Sequence, residues 1–216
     1  MDTSKTLQLN DLFESWEEDY DEKQFVQDGI INEELWNNAA KQILFILKEP
    51  TEYRPDLRKL FDNSPWPMLG YWDYGLQNTT HSTIPALREA SEDSHMKMAC
   101  RSSAVINLKK SPGGTTAETQ EIRKAAHRDK EFILKEIEII AADIVVCSGT
   151  DLFNMVKEVM PFDRFNGIGP DGECFSYDDS IWIRYCHPSA RIYKDMMYYT
   201  LMVLYQNCLK EMSREK

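Results

Sequence analysis

The 216-residue chain contains no C-x-x-C pair, and its five cysteines (Cys100, Cys147, Cys174, Cys186 and Cys208) are odd in number and widely spaced. A disulfide framework and a zinc or iron–sulfur site are therefore both unexpected, and a reducing cytoplasm is the expected setting. No apolar run approaches the ~20 residues of a membrane span. Met1-Asp2-Thr3-Ser4-Lys5 lacks the apolar core of a signal peptide. The expectation is a soluble cytoplasmic monomer with neither a metal nor another cofactor and no membrane partner.

Positive charge is also in short supply, since the formal net charge is −11. Its distribution is uneven. Residues 1–40 hold eleven acidic and two basic side chains, whereas residues 97–130 hold eight basic and three acidic ones. An acidic arm on a near-neutral body with one basic region is compatible with a phosphate-bearing partner. A merely solvated surface fits each single charge equally well.

What the chain does have is an alternation of short apolar runs and amphipathic stretches. Residues 1–28 read as an acidic N-terminal extension and residues 29–216 as one α/β domain. A short helix is expected over 33–40. Gln42 to Lys48 (Q-I-L-F-I-L-K) is nearly continuous apolar sequence ending at Glu49-Pro50, as in a strand buried on both faces. Residues 51–83 carry five prolines or glycines and the aromatics Phe61, Trp66, Tyr71, Trp72 and Tyr74. The segment reads as a long functional loop, too broken for a regular element.

Further on, a helix is expected over 84–98 and a strand over Ser103 to Leu108. A single helix is expected over 117–142, where Ile133, Ile137 and Ile140 mark one face. A strand over Asp143 to Ser148, a helix over 151–159 and a Gly- and Asp-rich connection over 161–180 follow. The fourth strand is Ile181 to Cys186. His187-Pro188-Ser189 stops it, because proline cannot donate to a ladder and forces extended geometry on its predecessor. Ser189 is a candidate cap for the last helix, starting near Ala190.

The alternation predicts a three-layer α/β/α domain on a central, mostly parallel four-stranded sheet with right-handed crossovers. Its strand ends would bring Glu49, Asn107, Gly149 and His187 to one edge, where open α/β sheets bind ligands.

Glu49-Pro50 after the first strand, Val105-Ile106-Asn107-Leu108, Ile144 to Gly149, and His187-Pro188-Ser189 after the fourth together resemble the uracil-DNA glycosylase superfamily. The resemblance covers roughly residues 30–210. It implies a DNA base-excising N-glycosylase acting on uracil or a related damaged base by base flipping, with DNA as partner. Glu49 would position water and His187 would donate to the departing base. Asn107 would read the base edge, and Ser189 would hold a phosphate. Pro50 and Arg191 would border the site, and an aromatic from Tyr71, Trp72, Phe61 and Trp66 would stack on the base. The chain departs from the family pattern where Leu47-Lys48 precede Glu49 in place of a glycine, and where Ala190 follows Ser189. Two alternatives stay open: a non-catalytic nucleotide- or nucleic-acid-binding module on the same fold, and a hydrolase of free nucleosides or nucleotides.

Overall fold

A computed structural model describes residues 4–21, 24–77, 93–114, 118–160, 166–168, 173–177 and 179–214. In chain order the elements are α1 (Lys5–Glu17), β1 (Gly29–Ile30), α2 (Glu33–Asn38), β2 (Ile43–Leu47), α3 (Leu57–Asn63), α4 (Pro67–Gln77), α5 (Asp93–Arg101), β3 (Ala104–Asn107), α6 (Thr119–Arg128), α7 (Lys130–Ile140), β4 (Ile144–Ser148), α8 (Thr150–Val159), β5 (Asn166–Ile168), β6 (Cys174–Tyr177), β7 (Ser180–Tyr185) and α9 (Lys194–Arg214).

The four expected strands are present and run parallel as β3-β2-β4-β7. The sheet itself has seven strands, in the order β1-β3-β2-β4-β7-β6-β5, so the four-stranded expectation is corrected. β1 adds antiparallel to β3 on one side, and the β5–β6 hairpin adds antiparallel to β7 on the other. β1 is two residues long and β6 lies in the stretch read as a connection. Neither offers the long apolar run that marks a buried parallel strand.

Alternate residues of each central strand feed two cores. Leu44, Ile46, Ala104, Ile106, Val145 and Cys147 face one cluster, built with α1, α6, α7 and α8. Ile43, Phe45, Leu47, Val105, Ile144 and Val146 face the other, built with α4 and α9. Two helical layers flank the sheet, as expected for three-layer α/β/α.

The segment read as an N-terminal extension is part of this core. Leu9, Phe13 and Trp16 fall on one face of α1 and are fully buried. Glu33 holds the start of that helix, accepting from the Lys5 and Thr6 amides at 2.6 and 3.1 Å. A carboxylate there satisfies orphan donors and complements the helix dipole.

The aromatic segment read as a loop over 51–83 carries the helices α3 and α4, and its residues 78–83 lie outside those described. Pro67 occupies the first position of α4, where its missing N–H costs nothing. Met68, Leu69, Trp72 and Leu76 then line its buried side. The expected helix over 117–142 is two, broken at Asp129, whose buried carboxylate binds Tyr20 and Arg128. Of the helix expected over 84–98, residues 84–92 lie outside those described. Cys174 and Cys208 are bonded to each other, tying β6 to α9. That corrects the expectation of unpaired cysteines: the partners lie 34 residues apart, and only the tertiary fold brings them together. Among the described residues no helix is long and apolar enough to cross a membrane.

β2 is the first strand of the parallel set, with β3 on one side and β4 on the other. The chain reverses its direction of winding there, and the carboxyl ends at such a switch point leave a crevice. β4 ends on Gly149, with φ +127°. An added Cβ would meet nothing within 4 Å, so Gly149→Ala carries a backbone penalty alone. It is expected to cost about 1–3 kcal/mol, read as a lower urea midpoint with an unchanged m-value.

Candidate functional site

A cavity of about 270 Å³ opens at this crevice, lined by Leu47, Glu49, Pro50, Phe61, Trp66, Asn107, His187 and Ser189, with Thr51, Glu52 and Arg54 also contributing. Ligand pockets commonly span ~300–1,000 Å³, so this hollow suits one small ring. It gathers side chains from the ends of β2, β3 and β7, as the strand-end reading anticipates.

β3 delivers Asn107. Its backbone N–H and its side-chain Nδ2 both donate to Asp28 Oδ2, at 2.8 and 3.1 Å. That leaves the amide oxygen and the second Nδ2 hydrogen for another partner.

β2 delivers Glu49. Lys109 Nζ binds its Oε2 at 2.5 Å, both side chains being largely buried. The ladder between β2 and β3 continues past the strands, with Leu108 N–H on Leu47 O and Lys109 N–H on Lys48 O. That continuation carries Lys109 to Glu49. Gly113 then folds back, its N–H donating to Pro50 O at 3.0 Å. A Cβ there would overlap the Glu49 carboxylate, so a larger residue would have to displace that side chain from its place beside Lys109.

β7 delivers His187. The Ser189 backbone N–H donates to His187 Nδ1 at 3.1 Å. In the neutral ring this places the proton on Nε2, leaving Nε2–H as a donor. Burial, then the positive charge of Lys48, lowers the imidazole pKa. The Trp66 ring lies 6.2 Å from that of His187, and Phe61 stacks on Trp66 at 6.1 Å.

The remaining expected site residues fall elsewhere. Trp72 is fully buried between Phe45 and Tyr185. Tyr71 is half-buried outside the hollow, with Lys194 Nζ 5.9 Å from its ring. The phase of α4 turns both away, so Phe61 and Trp66 are the aromatics at the cavity. Arg191 is exposed and does not line it. Ser189 does line it, but α9 begins at Lys194, so Ser189 is not that helix's cap. The turn after Pro188 delays the helix and uses the Ser189 amide on His187.

Sequence reading also missed a second hollow of about 330 Å³ against His187, lined by Lys48, Ser148, Gly149, Thr150 and Asp151. The buried Ser148 Oγ has no hydrogen-bond partner among the described residues, and Thr150 and Asp151, the first residues of α8, share the hollow's lining. The signal was present as a small polar residue before a strand-end glycine. Five cations of the basic region pair with a carboxylate: Lys109 and Lys110 inside the fold, and Arg101, Arg123 and Arg128 with partly exposed side chains. Among the described residues, no group of three or more His, Cys, Asp or Glu side chains could hold a metal ion.

No protein-family model matches the chain, and no curated protein is significantly similar to it. The likeness to uracil-DNA glycosylases thus rests on the motifs and their meeting at one hollow.

Proposed function

We propose that the protein is a base-excising N-glycosylase acting on uracil or a related base flipped from DNA. The observation that carries this reading is that Glu49, Asn107 and His187, from three separate strand ends, line one cavity sized for a single ring. Base flipping costs a few kcal/mol of unstacking, recovered by contacts in such a pocket. Asn107 would meet the base edge, and Trp66 and Phe61 would flank the ring. As the C1′–N bond breaks, the base would leave as an anion stabilised by His187 Nε2–H. Water would add to C1′ and pass its proton to Glu49. The second hollow supports a substrate that continues past the base, since Lys48 and the α8 amides suit a phosphate.

One observation favours a binding module instead. Lys109 Nζ occupies Glu49 Oε2, which leaves a single carboxylate oxygen to take up a water molecule. The deciding experiment incubates the protein with single- and double-stranded uracil oligonucleotides at low salt, then cleaves abasic sites with alkali. Excision is the expected result. Tight binding with no product in either substrate overturns the enzymatic reading in favour of the module.

The pH profile offers a second check. Burial and Lys48 favour the neutral imidazole, so His187 is neutral at pH 7 with its donor in place. Excision is expected to show no His187-dependent change above about pH 6.5. The rate should fall on further acidification, because protonated Nδ1 no longer accepts from Ser189 and the ring loses its fixed orientation. A rate that rises as pH drops from 7 to 5 would contradict that assignment.

A further inference from the structure

Behind Asn107 lies a cluster of buried charge. Asp28, Lys110 and Glu136 are all at most 1% exposed. Lys110 Nζ binds Asp28 Oδ1, and Glu136 Oε2 at 2.7 Å. The ammonium also lies 4.8 Å from the centre of the Trp16 ring of α1. Burial alone would lower the Lys110 pKa, but Asp28 and Glu136 outweigh it and the net shift is upward. Burial, aided by the charge of Asp28, pushes Glu136 well above the usual carboxylate range despite Lys110. Lys110 is thus shared between two buried carboxyl groups, and Asp28 accepts from it on Oδ1.

Asp28 turns its other oxygen to Asn107. Oδ2 accepts from both the backbone and the side-chain nitrogen of that residue. Asp28 accepts on both oxygens, from Lys110 on Oδ1 and from the Asn107 backbone N–H on Oδ2, so it selects one of the two flip states of the Asn107 amide and rejects the other. With the flip fixed and Asn107 lining the cavity, the amide oxygen is the acceptor left for a ligand. A ligand edge must then offer an N–H opposite it.

We propose that Asp28 is a positioning residue: held by Lys110, it fixes the Asn107 amide with its oxygen toward the hollow, and so selects ligands presenting a ring N–H. This rests on the excision reading for the identity of the ligand, but not for the clamp itself. The segment bearing α1 and Asp28 is accordingly part of the recognition apparatus.

Two isosteric variants separate positioning from structural support. Asp28→Asn and Glu136→Gln each remove one buried carboxylate and leave Lys110 the other. Glu136→Gln leaves both bonds to Asn107 intact, whereas Asp28→Asn replaces the pure acceptor with an amide that also donates. The probes are single-stranded oligonucleotides carrying uracil or 3-methyluracil, which lacks the ring N–H. Wild type and Glu136→Gln are expected to prefer uracil, in binding or excision. Asp28→Asn should lose about tenfold of that preference, the scale of one hydrogen bond to a charged group.

A second readout needs no ligand. The Asn107 side-chain NH₂, assigned by its absence in Asn107→Asp, should exchange with solvent at least tenfold slower than free asparagine in wild type and Glu136→Gln. That protection should vanish in Asp28→Asn. Equal uracil preference and equal protection in the two variants overturns the proposal. So does unprotected exchange in wild type, which decides the matter even if Asp28→Asn does not fold. Failure of wild type to bind or cut either oligonucleotide removes the excision reading, while the exchange data still judge Asp28.

Discussion

Replacing His187 with alanine is expected to slow excision of uracil by about 10²–10³-fold, the usual cost of losing one preorganised donor at a developing charge. Three features set that size. The ring is fixed, because the Ser189 amide occupies Nδ1 and Trp66 lies against it. The donor is neutral before the reaction, because burial and Lys48 disfavour the imidazolium. It therefore adds little to ground-state binding and acts mainly as negative charge appears on the base. The deficit should accordingly lie in single-turnover rate rather than in oligonucleotide affinity. It should also shrink for a base that is a better leaving anion: with 5-fluorouracil in place of uracil, the ratio of wild-type to variant rate is expected to fall. A variant that weakens binding and leaves the single-turnover rate unchanged would move His187 from the chemistry to the binding surface.

Much of this site was legible because strand ends announce themselves. The run Ile43–Leu47 stops at Glu49-Pro50, and β7 stops before His187-Pro188. Proline and β-branched sequence mark those ends without tertiary information, and parallel topology then gathers them at one edge. What stayed hidden depended on packing. Asp28 and Lys110 look like two ordinary surface charges, because fully buried acids and lysines are rare and their pairing spans 82 residues. Leu9, Phe13 and Trp16 were outweighed by the acidic count around them, although their spacing places them on one helical face. Prolines at 65 and 67 suggested a loop, yet Pro67 opens α4, and the phase of that helix decides which aromatics reach the cavity. Neither the two-residue β1 nor the hairpin of β5 and β6 produces a pattern strong enough to read.

Substituting Lys110 with methionine is expected to destabilise the protein by about 3–5 kcal/mol, the range for removing one partner of a buried ion pair. Methionine fills much of the same volume and keeps contact with Phe13 and Trp16, so the loss is electrostatic rather than a cavity. Burial already pushes the Glu136 pKa well above the usual carboxylate range, so that residue tolerates the change. Asp28 does not, since the Asn107 nitrogens become its remaining donors among the described contacts. The double variant Lys110→Met/Asp28→Asn removes the uncompensated charge as well, and should recover most of the lost stability in urea titrations. Burial of the cluster makes the single-variant loss insensitive to salt, unlike that of a surface pair. Strong recovery in the double variant would locate the penalty on Asp28. A double variant no more stable than the single one would place it instead on the Lys110 contacts with Glu136, Phe13 and Trp16, and α1 rather than the β3 exit would then depend most on this ammonium.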